Sequence, residues 1–255
     1  MAAIQVMPFS FHDQKDLLMS SASATTQQPV GDSLPHWTAR PRPPREPMQG
    51  HYCRLEPLDA ARHGAELYAA FRQTPNDADW TYTFAGPFPD EASYIAYART
   101  IETSEDPQFF AVISQASGRA IGSLAAMRID PANGVIEVGN VAYSNLLKRT
   151  PAATEAQFLL MRRAFDDLGY RRYEWKCDSL NAPSRAAALR MGFQFEGIFR
   201  QAVVYKGRNR DTAWFSIIDS EWPAVRNGFE QWLAPDNFDS QGRQRQRLSV
   251  LIKAS

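Results

Sequence analysis

The sequence predicts a mixed α/β (α+β) fold: a central mixed, mostly antiparallel sheet of about seven strands with helices on both faces. Three observations carry this. Strand-like runs follow one another over 109–144, separated by the hairpin signals Ser117-Gly118 and Asn133-Gly134. A strand–helix–strand passage then spans 134–179, which implies neighbouring parallel strands inside the sheet. The composition, 44% hydrophobic and 22% charged over 255 residues, suits a packed globular chain and excludes disorder throughout.

The elements follow in order. HYCRLEPL (51–58) reads as a strand. A helix starts at the N-cap Asp59, with Leu67, Tyr68 and Phe71 at helical spacing. A second helix fits 90–105 with Asp90 as its cap. The meander FFAVISQ, RAIGSLAAMRID, GVIEVGNVAYS comes next. Over 151–168, Ala156, Leu160, Ala164 and Leu168 recur every four residues, and Gly169 ends that helix. RRYEWKCDS (171–179) is a strand; Asn181 caps a short helix with Pro183 in its first turn, closed by Gly192. Residues 193–206 and 210–219 form a strand pair around Gly207, and a last helix fits 221–233.

Flanking composition sets the domain limits. SSASATTQQ (20–28) is low in complexity, and RPRPPREP (40–47) favours extended polyproline backbone. Residues 1–47 therefore read as a disordered tail and Pro/Arg-rich linker, 48–235 as the folded domain and 236–255 as a C-terminal tail. Residues 1–20 carry Asp13 and Asp16, lack arginine and show no apolar core of secretory length, so no targeting signal is expected. Twenty-eight basic and 28 acidic residues give zero net charge, which argues against a nucleic-acid partner. No apolar run reaches the roughly 18–20 residues that span a bilayer, so no membrane association is expected. Cys53 and Cys177 lie far apart, which predicts a reducing, cytoplasmic compartment. His12, His36, His51 and His63 show no ligand spacing, so no metal is expected.

Two segments can carry chemistry. SNLLKRTPAATEA (144–156) leads from a strand into a helix N-terminus, where free N–H groups and the dipole favour an anion. Arg149 adds charge, and Thr150 and Thr154 add hydroxyls. In the second segment, Asn181 leaves a strand end and Ser184 follows in the first helical turn. A cap explains that pair as well as a ligand does.

Taken together, IEVGNVAYS, KRTPAATEA and NAPSRAAALRMGFQFEG resemble the GNAT superfamily of N-acetyltransferases. Within it they resemble the Rim-type branch, which includes the ribosomal-protein alanine and serine N-acetyltransferases. The resemblance covers about 50–220. It implies a GNAT-like sheet splayed in the middle, with acetyl-CoA as co-substrate in a V-shaped gap between strands 134–144 and 171–179. It implies coenzyme contacts from Val141, Tyr143, Lys148, Arg149, Thr150, Ala152, Ala153, Thr154, Asn181 and Ser184. Lys148 and Ala153-Thr154-Glu155-Ala156 match the family pattern, whereas Arg149 and Pro151 stand where glycines are usual. Many members place a tyrosine seven residues after the asparagine; here it is Ala188, and Ser184 matches the Rim-type serine that would hydrogen-bond the coenzyme sulfur.

The implied reaction is direct transfer of an acetyl group to a primary amine, on a protein N-terminus or a small molecule. An α-amine near about 7.7–8 needs less help to lose its proton than a lysine near about 10.4. Glu137 and Glu174 are the candidate bases; Glu174 could equally pair with Lys176. Backbone N–H groups near Val141–Tyr143 would hold the oxyanion, and Tyr143 is the next candidate acid after Ser184. Where ribosomal Rim-type enzymes carry a glutamate, this chain has Val203. Cys177 reads as an acyl acceptor or a buried core residue; Trp80, Tyr82 and Phe84 read as a pocket roof or a satellite of the core. A homodimer stays open. The alternative function is a catalytically silent coenzyme-A-binding regulatory module, suggested by Ala188, Val203 and the missing glycines.

Overall fold

Gly118 and Gly134 take φ of 69° and 62°, the left-handed geometry that a turn demands and a Cβ would oppose. They divide the meander into β3 (Gln108–Ser114), β4 (Ala120–Asp130) and β5 (Val135–Tyr143) in a computed structural model that describes residues 28–254. His12, Asp13, Asp16 and nearly all of the low-complexity stretch lie outside the described residues. The chain divides into Met1–Trp37 and Thr38–Ser255, and every element named here belongs to the second unit. In the first, Trp37 N–H donates to the Leu34 carbonyl at 3.1 Å.

Before the meander come β1 (Met48–Gln49), β2 (Cys53–Pro57), α1 (Ala60–Phe71) and α2 (Glu91–Ile101). After it come α3 (Pro151–Arg162), β6 (Arg172–Asp178), α4 (Ala182–Arg190), β7 (Gln194–Tyr205), β8 (Arg208–Ile218), α5 (Trp222–Leu233) and α6 (Leu248–Ala254). The strands form one eight-stranded sheet in the order β1-β2-β3-β4-β5-β6-β8-β7. All neighbours are antiparallel except β5 and β6, which the intervening α3 makes parallel.

Period-two alternation splits the sheet between two cores. On β3, Phe109, Ala111 and Ile113 join a cluster with Leu67 and Phe71 of α1 and Tyr94 and Ala98 of α2. Phe110 and Val112 face the other way, into a larger cluster with Phe158 and Met161 of α3 and Phe229 of α5. The mixed sheet with helices on both faces is thus as expected.

Four details differ from the sequence reading. The sheet has an eighth strand, because two-residue β1 is too short to show any periodicity. The second helix stops at Ile101 rather than 105: its C-cap Glu102 turns its carboxylate to the Ala60 N–H at 2.7 Å. The long helix keeps α geometry only to Arg162 and closes in a π turn over Arg163–Asp167 before Gly169. Residues 236–255, read as a tail, contain α6, whose Leu248 and Leu251 are buried; a seven-residue helix gives too few turns for a clear stripe.

Residues 40–47, expected as a linker, carry no helix or strand and are held by the domain. Arg45 donates to the Ser104 carbonyl at 2.9 Å, Gln108 to that of Pro43 at 2.9 Å, and Tyr170 to that of Pro41 at 3.1 Å. A proline-rich strip has few donors of its own, so its carbonyls serve as the acceptors.

Candidate active site

β5 and β6 pair only over Val135–Val138 and Arg172–Trp175, although β5 continues to Tyr143 and β6 to Asp178. The cause lies on the other edge of β5. Ser123 and Ala125 of β4 face Ala142 and Gly139, which leaves Asn140 in a bulge at φ 48°. A bulge bends its strand, and the second half of β5 leaves β6. The gap opens into a cleft of about 1700 Å³ lined by β5, β6, the 148–154 turn, α4, β8 and the loop before α2. This is the splayed strand pair expected from the sequence.

At one end stands the start of α3. Thr150 is its N-cap: its hydroxyl accepts from Ala153 N–H at 3.3 Å and donates to the Leu147 carbonyl at 2.6 Å. Pro151 follows at the first helical position, where its missing N–H costs nothing within the helix. Arg149 takes φ 62° and is exposed. Ala152 is buried and Ala153 lines the cleft. Lys148, expected at the same place, instead makes an ion pair with Asp79. Buried Thr154 accepts from Arg190 Nη2 at 2.7 Å, which brings a guanidinium of α4 to the end of the cleft. Arg190 has no signal in the sequence beyond a basic last turn, and 36 positions separate it from its partner. Glu155 faces away from the cleft: its carboxylate accepts the N–H groups of His51, Tyr52 and Cys53, each at 2.7 Å.

Of the two candidate bases, Glu137 lines the cleft and Glu174 lies behind it on β6. Glu137 and Glu174 stand opposite each other in the parallel register, and both are buried. Lys176 Nζ lies 2.7 Å from Glu137 and 2.6 Å from Glu174, over the Trp214 ring at 3.8 Å. Arg128 adds a contact to Glu137 at 3.1 Å, and Arg172 bridges Glu174 and Glu196. Burial dominates at Glu137: it raises the carboxyl above its ordinary value, against the opposing pull of Lys176 and Arg128. The pairing of Glu174 with Lys176 seen in the sequence is present; its extension to Glu137 needed the sheet register.

Val141 lies on the unpaired half of β5. Tyr143 belongs to the frame. Its hydroxyl accepts from Gln157 at 2.9 Å and donates to the Ala153 carbonyl at 3.3 Å, and burial raises its pKa. With that proton engaged, Tyr143 ties β5 to α3 and is poorly placed to act as an acid.

On the opposite wall, the Asn181 side chain accepts from Ser184 N–H at 3.1 Å and caps α4. Trp175 Nε1 donates to the Ser184 hydroxyl at 3.0 Å, which leaves that hydroxyl its own proton to donate. Burial raises the Cys177 thiol, with a partly offsetting hydrogen bond from Ser184. A protonated, buried thiol fits the core reading rather than the acyl-cysteine one. The aromatic trio divides: Trp80 packs on Phe71 and Phe88 with the core, while Tyr82 donates to the Leu180 carbonyl and Phe84 stands beside Arg210 and Tyr205 over the cleft. No helix among the described residues is long and apolar enough to cross a membrane, and no group of three or more His, Cys, Asp or Glu among them is placed to hold a metal ion.

Comparisons agree with this geometry. A solved GCN5-related N-acetyltransferase from Brucella melitensis is 54% identical, covers 86% of this chain and 100% of its own, and superposes with a TM-score of 0.83. A GNAT-family structure from Chromobacterium violaceum is 44% identical over 77% of this chain and 98% of its own, with a TM-score of 0.71. The uncharacterized N-acetyltransferase p20 of Bacillus licheniformis is 31% identical over 113 residues, 44% of this chain, and the match spans only 63% of that relative's length. The acetyltransferase (GNAT) domain model matches residues 53–194, more than half of the chain and the same stretch that builds β5, α3, β6 and α4. By that match and those strands, this chain belongs to the GNAT acetyltransferase family.

Proposed function

We propose that the chain transfers an acetyl group from acetyl-CoA to a primary amine by direct attack within the cleft. The observation that carries this reading is the divergence of β5 from β6 beyond Val138, which ends at the start of α3 beside Arg149 and Arg190. The residues fit the coenzyme. The unpaired edge of β5 from Gly139 to Tyr143 offers backbone groups to an amide-bearing arm, and the helix start with two guanidinium groups suits a pyrophosphate. The arm then leads toward Asn181 and Ser184.

In this reading a carboxylate of the Glu137–Glu174 pair takes the amine proton. The amine nitrogen bonds to the acetyl carbon, the carbon–sulfur bond breaks, and the departing thiolate, hydrogen-bonded by the Ser184 hydroxyl, takes its proton from water relayed through that hydroxyl. Lys176 Nζ lies beside both carboxylates, and its charge opposes the rise that burial gives Glu137. The serine at 184 with alanine at 188 supports the Rim-type branch; Val203 sets the chain apart from its ribosomal members. The acceptor is a protein N-terminus or a small-molecule amine.

Calorimetric titration with acetyl-CoA tests the coenzyme site. Arg149→Glu places a like charge against the pyrophosphate and is expected to weaken binding by about 1–3 kcal/mol. Equal affinities would remove Arg149 from the site. A mass-spectrometric screen of peptide N-termini, lysines and small amines tests turnover. Binding without transfer to any amine would favour the silent coenzyme-A-binding module.

A further inference from the structure

The cleft is lined by seven cations, and most have a carboxylate partner. Arg128 and Lys176 meet Glu137, Lys148 meets Asp79, and Arg243 meets Asp239. Arg149, Arg190 and Arg210 have no carboxylate within ion-pair distance among the described residues. The first two stand at the α3 end, where the proposed pyrophosphate would neutralise them. Arg210 stands on β8, against Thr212 and the end of β6.

Arg210 is only 8% exposed, yet lines the cleft. Its guanidinium carbon lies 5.4 Å from the Phe84 ring centre and 5.8 Å from that of Tyr205. Its Nε donates to the Thr212 hydroxyl at 3.2 Å. The nearby carboxylates are engaged by neutral donors: Asp178 by Tyr205 and Leu180, Asp211 by Gln201 and Asn209. A guanidinium taken out of water without a counter-charge is costly, and its flat fork matches an oxyanion in two-point geometry. It also sits on the reaction side, since its charge acts on the Cys177 thiol beside Ser184.

We propose that Arg210 reads an anionic group on the acceptor, so that the acceptor is a small amine that also carries a carboxylate or phosphate. The Phe84 and Tyr205 rings stand beside the guanidinium, and its burial strengthens a contact with an anion. A neutral amine leaves the buried charge unanswered. This inference deepens the acetyl-transfer reading and narrows its acceptor.

Binding of acetylated products tests it without depending on turnover. The full chain is titrated calorimetrically with N-acetyl-L-phenylalanine and its primary amide, and with N-acetyl-O-phosphoethanolamine and N-acetylethanolamine, each with and without coenzyme A. The wild type is expected to prefer one anionic probe over its neutral counterpart by roughly ten- to a hundredfold. Which pair shows the preference identifies carboxylate or phosphate. Arg210→Gln should erase the preference, and Arg210→Lys, which keeps the charge without the fork, should retain part of it. Melting curves of both variants check the fold. Equal binding of the paired probes by wild type, binding of none, or a preference that survives in folded Arg210→Gln would overturn the inference. If coenzyme A neither binds nor alters these affinities, the acetyl-transfer reading fails while the anion preference is judged on its own.

Discussion

The Ser184 hydroxyl accepts from the Trp175 indole N–H at 3.0 Å and keeps one proton, which serves the Cys177 sulfur in the free protein. The proposed role needs that proton to turn to the coenzyme sulfur. Ser184→Ala is therefore expected to lower kcat roughly ten- to a thousandfold, the usual general-acid contribution discounted for a weak acid. The KM for acetyl-CoA should stay near wild type, because the bond to sulfur strengthens only as the thiolate departs. Full kcat at a saturating acceptor would place the acid elsewhere. The carboxylates make a second prediction. Burial raises Glu137 above the ordinary carboxylate range, with Lys176 and Arg128 pulling it down. The ionised form is needed to take a proton, so kcat/KM should fall with decreasing pH already above that range. Lys176→Met removes the strongest opposing charge and should move this limb further toward neutral pH. If Glu137 is the base, Glu137→Gln abolishes the limb; a limb that survives there and vanishes in Glu174→Gln assigns the role to Glu174. The sign for stability is the reverse: a raised folded pKa contributes most below the unfolded value and is lost as pH rises through the folded one.

At the scale of elements, α3 is anchored at its start by what it gives to β2. The Glu155 carboxylate is 4% exposed and takes three backbone N–H groups. Gly50 makes room for it, since a Cβ there would lie 2.5 Å from the carboxyl group. Glu155→Ala leaves those donors without an acceptor and should destabilise the fold by about 2–4 kcal/mol in urea unfolding, while Glu155→Gln recovers part of it. A change under about 0.5 kcal/mol would mean that water replaces the carboxylate. The cap of α4 behaves differently. Asn181→Ala should cost about 1 kcal/mol and also raise the KM for acetyl-CoA, because the same side chain faces the proposed coenzyme arm. Loss of stability with an unchanged KM would leave Asn181 as a cap alone.

For the whole molecule, the segment 40–47 decides where the domain begins. Its contacts with Ser104, Gln108, Tyr170 and Pro131 reach both α2's far end and the β4–β5 turn. A chain starting at Thr38 should melt with the full sequence. One starting at Met48 loses several hydrogen bonds worth about 1 kcal/mol each and should melt roughly 5–10 °C lower. Equal melting temperatures for both would return 40–47 to the linker expected from its composition.

The sequence by itself determined whatever rests on neighbours along the chain. The glycine turns at 118 and 134, the caps at Asp59, Asp90 and Asn181, and the order of strands and helices all appear in the structure. So does the helix start at 150–151, because a strand followed by a helix is local information; the divergence of β5 from β6 was implied by the family resemblance, and its cause, the bulge at Asn140 against β4, is tertiary. Tertiary structure decided the charges. Lys148 pairs with Asp79, 69 positions away; Lys176 joins Glu137 to Glu174; Arg190 reaches Thr154; and Arg210 is left without a counter-ion. Whether a cation in a cleft is neutralised depends on which distant carboxylate shares its burial, and periodicity holds no record of that. The same reason hid the docking of 40–47, which is held by residues far away in the chain; α6, which packs mainly on neighbouring α5, was hidden by its shortness.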